Sequence, residues 1–403
     1  MEMHAEVLFF YNTSVTPQLY TMAKTKPSNR VGDSKKKSKS GDSKKSKASA
    51  DELLTQAAIL LQTSQPEEAL VAARRALNIL QPTSKPTIAA LPALNLLGEI
   101  NLELGDPDSA REAFTVAVLL DPEGTNDGAE KFLWLAQINE EGGAESVQWF
   151  EKGIAVLRRE LEELDGKLVK KADVEDLLEE KRMKIATALC GIAEVYMTDL
   201  SWEEDAEARC EAAVTEALMA APNNAEPLQT LANIRLSQSR KEDAQAALKR
   251  SMELWADLEA DDPKMPNFPT LISLTRLLME AEMEEEALEV LETLVNQNED
   301  SIEAWYQGGW CLHLLAAKQK AAGGEPEKLE KTVSSLLKAS REWLVRCTKK
   351  YEEQGYEDKR LKEHAEELLQ ELNDVLGPMV EGEEDEWSDE EDGEDDDEEM
   401  EGA

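Results

Sequence analysis

Residues 94–122 read LNLLGEINLELGDPDSAREAFTVAVLLDP, and the spacing of small, large and chain-stopping residues in this stretch decides the fold. Leu94, Leu97 and Gly98 share one face of a first helix, and Ala110, Phe114 and Ala117 share one face of a second. Gly98 and Ala110 are small, as required where two helices cross closely. Phe114 is sized to fill the groove between them, Ala117 admits a following unit, and Pro122 stops the second helix. One such helix pair cannot bury its own apolar face, so it predicts neighbours of the same kind.

This order of residues is similar to the tetratricopeptide repeat, a pair of helices recurring about every 34 residues, and the likeness extends over residues 51–355. Repeat one carries Ala69 and Ala76 and ends at Pro82. Repeat three has Phe132, Leu135 and Ala136, a short turn at Glu141-Gly142-Gly143, then Phe150 and Gly153. A charged, helical insertion near 158–183 precedes repeat four, with Leu189, Ala193 and Tyr196, then Ala206 and Ala213. Repeats five and six centre on Ala232 with Ala244 and on Leu274 with Ala287. Repeat seven opens at Trp305, Gly308 and Gly309, is interrupted near 318–327 at Gly323-Gly324, and continues in a helix over 327–352. Equivalent alanines stand 41 residues apart from Ala69 to Ala110 and 43 apart from Ala244 to Ala287, so the array is degenerate. A last amphipathic stretch, 358–376, shows the leucine stripe of a capping helix and ends at Gly377-Pro378. The expected fold is all-α: a right-handed superhelical solenoid of about seven irregular repeats, plus a C-terminal cap, over 51–377. Disordered tails are expected at 1–50 and 378–403.

The charge balance narrows the partners. In 403 residues, 85 acidic against 44 basic side chains give a formal charge of −41. Such a chain repels phosphates and anionic membranes and attracts basic proteins, so neither a direct nucleic-acid partner nor a membrane is expected. No apolar run approaches the ~20 residues of a membrane span. The four cysteines, Cys190, Cys210, Cys311 and Cys347, are scattered and read as packed hydrophobes of a reducing compartment. The lysine-serine run KKKSKSGDSKKSK at 35–47 is either a solubilising tail or a nuclear-import signal. The apolar start Val7–Tyr11 lacks the basic leader of a secretory signal, and Met22 is an alternative start. Acidic residues make up 16 of the 23 from Glu381 to Ala403, a stretch kept unfolded by self-repulsion. It holds Trp387 and an acidophilic kinase pattern at Ser388.

In tetratricopeptide arrays the first helix of each repeat lines the inner surface. The resemblance therefore places Asn95, Glu99 and Glu103, then Glu130 and Glu140, then Glu194, then Glu226 and Asn233 on a concave face. Glu303, Tyr306 and Trp310 follow from repeat seven. Arg276 is the one cation counted among these positions. An acidic concave surface concentrates its field and suits an extended basic segment, with Tyr306 and Trp310 packing apolar or cationic side chains. The repeat clamp for acidic chaperone tails needs Lys or Arg and Asn where this chain has Leu54, Ala58, Asn95 and Glu99; Asn233 alone does not restore it. Catalysis has no foothold. His4, His313 and His364 are far apart, no cysteine pair has metal-ligand spacing, and no phosphate-binding or nucleophile motif occurs, so no cofactor or metal is expected.

A closer likeness spans nearly the whole chain. The lysine-serine tail, the opening ADELLTQAAILL at Ala50, the core LLGEINLELGDPDSAREAF and the tail EWSDEEDGEDDDEEM resemble the fungal assembly chaperones of large-subunit ribosomal protein four. That resemblance implies a dedicated chaperone that holds a long basic loop of the new ribosomal protein on its concave surface, prevents aggregation and delivers it to nuclear pre-ribosomes. It implies a monomer bound one-to-one with its client, present in cytoplasm and nucleus, with a nuclear import receptor as a further partner. Two alternatives stand beside it: a tetratricopeptide scaffold subunit of a large assembly, and an acidic histone chaperone.

Overall fold

A computed structural model describes residues 48–165, 172–258, 262 and 264–378. The lysine-serine run, the apolar start, Trp387 and Ser388 all lie outside the described residues. Every regular element among the described residues is helical, and they divide into two compact units at Leu258.

The first unit contains five helix pairs. They are α1 (Ala50–Gln62) with α2 (Pro66–Leu80), α3 (Leu91–Glu103) with α4 (Pro107–Leu120), and α5 (Glu130–Gln137) with α6 (Gly143–Asp165). Then come α7 (Ala172–Met197) with α8 (Ala206–Ala220), and α9 (Ala225–Ser237) with α10 (Lys241–Glu253). Each helix packs on its pair partner, and the second helices α2, α4, α6 and α8 each pack on the first helix of the next pair. The starts are written locally. Ser49 and Glu52 form a reciprocal capping box on α1, and Asp106 accepts from the Ser109 N–H (3.0 Å) to begin α4 behind Pro107. Gly105, at φ +72°, makes the turn between α3 and α4.

The packing of α3 on α4 follows the spacing argument. Phe114 is fully buried, and a Cβ on Gly98 would overlap its ring. Burial of a ring that size contributes about 1.5–3 kcal/mol. A ring against a glycine also joins two successive pairs: Phe150 of α6 lies against Gly191 of α7. The described parts of the insertion near 158–183, residues 158–165 and 172–183, lengthen α6 and α7.

The loop from α4 to α5 is organised by one carboxylate. Asp121, 1% exposed, accepts from the Thr125, Asn126 and Asp127 N–H groups and from the Lys131 ammonium at 2.9 Å; Lys131 is itself fully buried. Burial pushes the Asp121 carboxyl up, but hydrogen bonds from Lys131 and Asn126 outweigh it and hold the group well below the usual carboxylate range.

The second unit has α11 (Phe268–Glu280) with α12 (Glu284–Gln297), α13 (Ile302–Ala322) with α14 (Pro326–Gln354), and the single helix α15 (Lys359–Leu376). The interruption at Gly323-Gly324 is a turn between two long helices. Helix α15 buries Leu361, Ala365, Leu368 and Leu372 against α14 and α13, as the leucine stripe predicts. All four cysteines are free and buried, and burial raises each thiol, to about 11 for Cys210 and about 12 for Cys311 and Cys347, so none is activated.

Candidate protein-binding face

In the first unit, carboxylates from four first helices collect in two clusters. Glu99 of α3 lies within electrostatic reach of Glu130 at the start of α5 and of Asp127 in the preceding loop. It makes no hydrogen bond or ion pair among the described residues. Burial, then Glu130, raises its carboxyl to about 7; Asp127 adds to this and Lys184 opposes it. Asp127, also raised by burial, accepts from the Asn95 amide at 2.8 Å. Farther along, Glu194 of α7 is raised to about 7 by burial and then by Glu226 of α9. The Glu194 side chain keeps solvent-accessible surface. Glu226 is also raised by burial, although the Thr187 hydroxyl donates to it at 2.6 Å.

Several placements depart from the sequence reading. Glu140 lies three residues past the end of α5 and pairs with Arg111 of α4 at 2.9 Å. Helix α5 is only eight residues long, so a repeat ruler overshoots its end. Glu103 is exposed as the last residue of α3, and Asn233 is half-buried on α9. Leu102 of α3 and Leu133 of α5 turn into the core. Arg276 is not the only cation near the inner positions. Lys184, from the lengthened α7, bonds Glu130 at 2.5 Å and Glu180 at 2.8 Å. Spacing alone misses Lys184 and Asp127 because one comes from an insertion and the other from an inter-repeat loop.

In the second unit the inner positions of the last repeat are covered by the C-terminal segment. Glu303 accepts from the Tyr356 hydroxyl at 3.0 Å, Tyr306 is 6% exposed with its hydroxyl 2.7 Å from His364 Nδ1, and the Trp310 and His364 rings meet edge-on at 5.1 Å. Tyr306 therefore does not present an open aromatic surface: its ring serves the docking of α15. The His364 imidazole is lowered by burial, with Glu367 and Glu371 opposing and His313 assisting.

Comparison with known proteins bears on this arrangement. The tetratricopeptide repeat family model matches residues 91–123, the stretch that carries Gly98 and Phe114. A protein of Emericella nidulans, described as "Probable assembly chaperone of rpl4", is 47% identical over 339 residues, covering 82% of this chain and 83% of its own. The chain belongs to the family of rpl4 assembly chaperones. A Schizosaccharomyces pombe member with the same description is 36% identical over 299 residues, covering 73% of this chain and 84% of its own. The solved structure of the assembly chaperone of RpL4 (Acl4), residues 1–338, is 46% identical. It superposes with a TM-score of 0.62 over 69% of this chain and 100% of that one. In this rpl4-chaperone family member, the acidic face of the first unit is built on helices α3, α5, α7 and α9. No group of His, Cys, Asp and Glu among the described residues is arranged to hold a metal.

Proposed function

We propose that this chain is a dedicated chaperone of rpl4 that holds an extended basic segment of it on the acidic face of the first unit. One observation carries the reading: burial, and then a neighbouring carboxylate, raises both Glu99 and Glu194 to about 7. Such groups store unfavourable electrostatic energy, and lysine or arginine side chains laid along the face relieve it. Pairs of this kind are partly solvated, so each contributes little alone and the sum weakens with salt. The face acts by binding and shielding, with no catalytic step. Covering the basic segment keeps it from stray RNA and from aggregation until it is delivered to nuclear pre-ribosomes.

On the same reading the chaperone works as a monomer, one-to-one with rpl4, and passes between cytoplasm and nucleus. Residues 35–47 are the part suited to an import receptor. A photo-crosslinking amino acid placed at Asn233, and separately at the exposed outer position Glu112, tests the face. Crosslinks to rpl4 from Asn233 and not from Glu112 are expected; the reverse pattern moves binding to the outer surface.

A further inference from the structure

The part of the acidic face around α3 is more specific than a charged wall. Asn95 and Glu99 stand four residues apart on one face of α3. Asp127 joins them from the loop, bonded to the Asn95 amide nitrogen at 2.8 Å, and Glu130 joins from α5. Asn95 is only 8% exposed, and its Oδ1 is buried with no hydrogen-bond donor among the described residues. An acceptor left unmet in such a place costs about 1–3 kcal/mol, which a donor on a bound partner removes.

The site also shows what kind of group it accepts, because the chain puts one of its own there. The lengthened α7 brings the Lys184 ammonium to Glu130 at 2.5 Å and Glu180 at 2.8 Å, with Glu99 within electrostatic reach. The neighbouring Lys181 is tied to Glu160 of α6 at 2.6 Å, which anchors this stretch of α7 to the lengthened α6. Yet no bond joins Lys184 to Glu99, Asp127 or Asn95 Oδ1. A compact ammonium is engaged on one side only; Asn95 Oδ1 and Glu99 accept no hydrogen bond among the described residues, and Asp127 accepts one from the Asn95 amide. A planar guanidinium with five donors in a fixed fork can meet two carboxylates and an amide oxygen together.

Building on the proposed function, we infer that Asn95, Glu99, Asp127 and Glu130 form a subsite for one arginine side chain of the bound basic segment. Lys184 is the internal counter-ion that competes with that arginine until it is displaced. The competition lowers affinity for weakly basic chains and leaves arginine-bearing segments favoured over lysine-bearing ones.

The test uses the full chain with three probes: purified rpl4, nona-arginine and nona-lysine, titrated by fluorescence anisotropy at about 0.1 M salt. Lys184→Met and Lys184→Gln, checked for native helicity by circular dichroism, are each expected to lower Kd for all three probes by roughly three- to tenfold. An unchanged or raised Kd in both overturns the competitor role. Asn95→Ala is expected to bring the nona-arginine to nona-lysine affinity ratio close to one while leaving nona-lysine binding as it was. An equal loss for both peptides overturns the arginine subsite. Glu99→Gln separates this proposal from the reading beneath it. Weaker rpl4 binding in Glu99→Gln beside an equal loss of both peptides in Asn95→Ala refutes the subsite alone, whereas binding still unaltered when Glu194→Gln is added to Glu99→Gln refutes the acidic face itself.

Discussion

Raising the pH from 6 to 8 is expected to tighten binding of rpl4 by about ten- to fiftyfold. Glu99 and Glu194 titrate near 7 in the free chain, so at pH 6 each is about nine-tenths protonated and at pH 8 about nine-tenths ionised. Lysines and arginines of the bound segment favour the ionised form and return these groups toward the ordinary carboxylate range. Ionising one such group at pH 6 costs about 1.4 kcal/mol, a factor of about ten, and almost nothing at pH 8. Glu99 contributes near this limit. Glu194 keeps more accessible surface, so solvent screening reduces its share to roughly half. Isothermal titration calorimetry in two buffers of different ionisation enthalpy measures both the affinity and the protons released. The expected result is a net release of about one proton at pH 7, with a flattened pH profile in the Glu99→Gln, Glu194→Gln double variant. Proton uptake, or a profile unaltered by the double variant, would rule out ionisation of these two carboxylates on binding.

The same upward shift affects stability with a definite sign. The folded-state value of Glu99 lies above its unfolded value of about 4.3, so the folded chain binds that proton more tightly, and stability declines as pH rises from about 4 to about 7. Glu99→Gln should therefore stabilise the first unit by about 1–2 kcal/mol at pH 8 and by little at pH 4, read by urea unfolding at each pH. Lys131→Met leaves the buried Asp121 without its cation and should destabilise by about 3–5 kcal/mol, visible in thermal melts near neutral pH. Gly98→Ala puts a Cβ into the Phe114 ring. Overpacking outweighs the gain in helix propensity, for a net loss of about 1–2 kcal/mol by denaturant unfolding.

How much the sequence reveals depends on which interactions are local. Gly98, Ala110 and Phe114 report their packing directly, because helix crossing needs small residues opposite a large one at fixed spacing. The leucine stripe of α15 is legible for the same reason. The first-helix position was legible for Glu99, Glu130, Glu194 and Glu226, each of which stands on the first helix of its pair. It was not legible at Glu140, because α5 stops after eight residues and leaves that side chain at a turn beside Arg111. Tyr306 and Trp310 sit on the first helix of their repeat as expected. Their surroundings come from His364, 58 residues beyond Tyr306, and no repeat pattern specifies that packing. Lys184 and Asp127 belong to an insertion and a loop, the two places where a periodic ruler has no marks.

Charge reversal on the two sides of the first unit separates a local binding face from net charge. One full-length variant carries Glu99→Lys, Glu194→Lys and Glu226→Lys on the inner face; another carries Glu112→Lys, Glu151→Lys and Glu253→Lys at exposed positions of the second helices. Both change the net charge equally, so long-range attraction for a basic protein is altered alike. The account predicts that the inner variant loses rpl4 binding by about a hundredfold or more while the outer variant stays within about threefold of the unaltered chain. Equal losses in the two variants would contradict it, because net charge rather than the acidic face would then be holding the client.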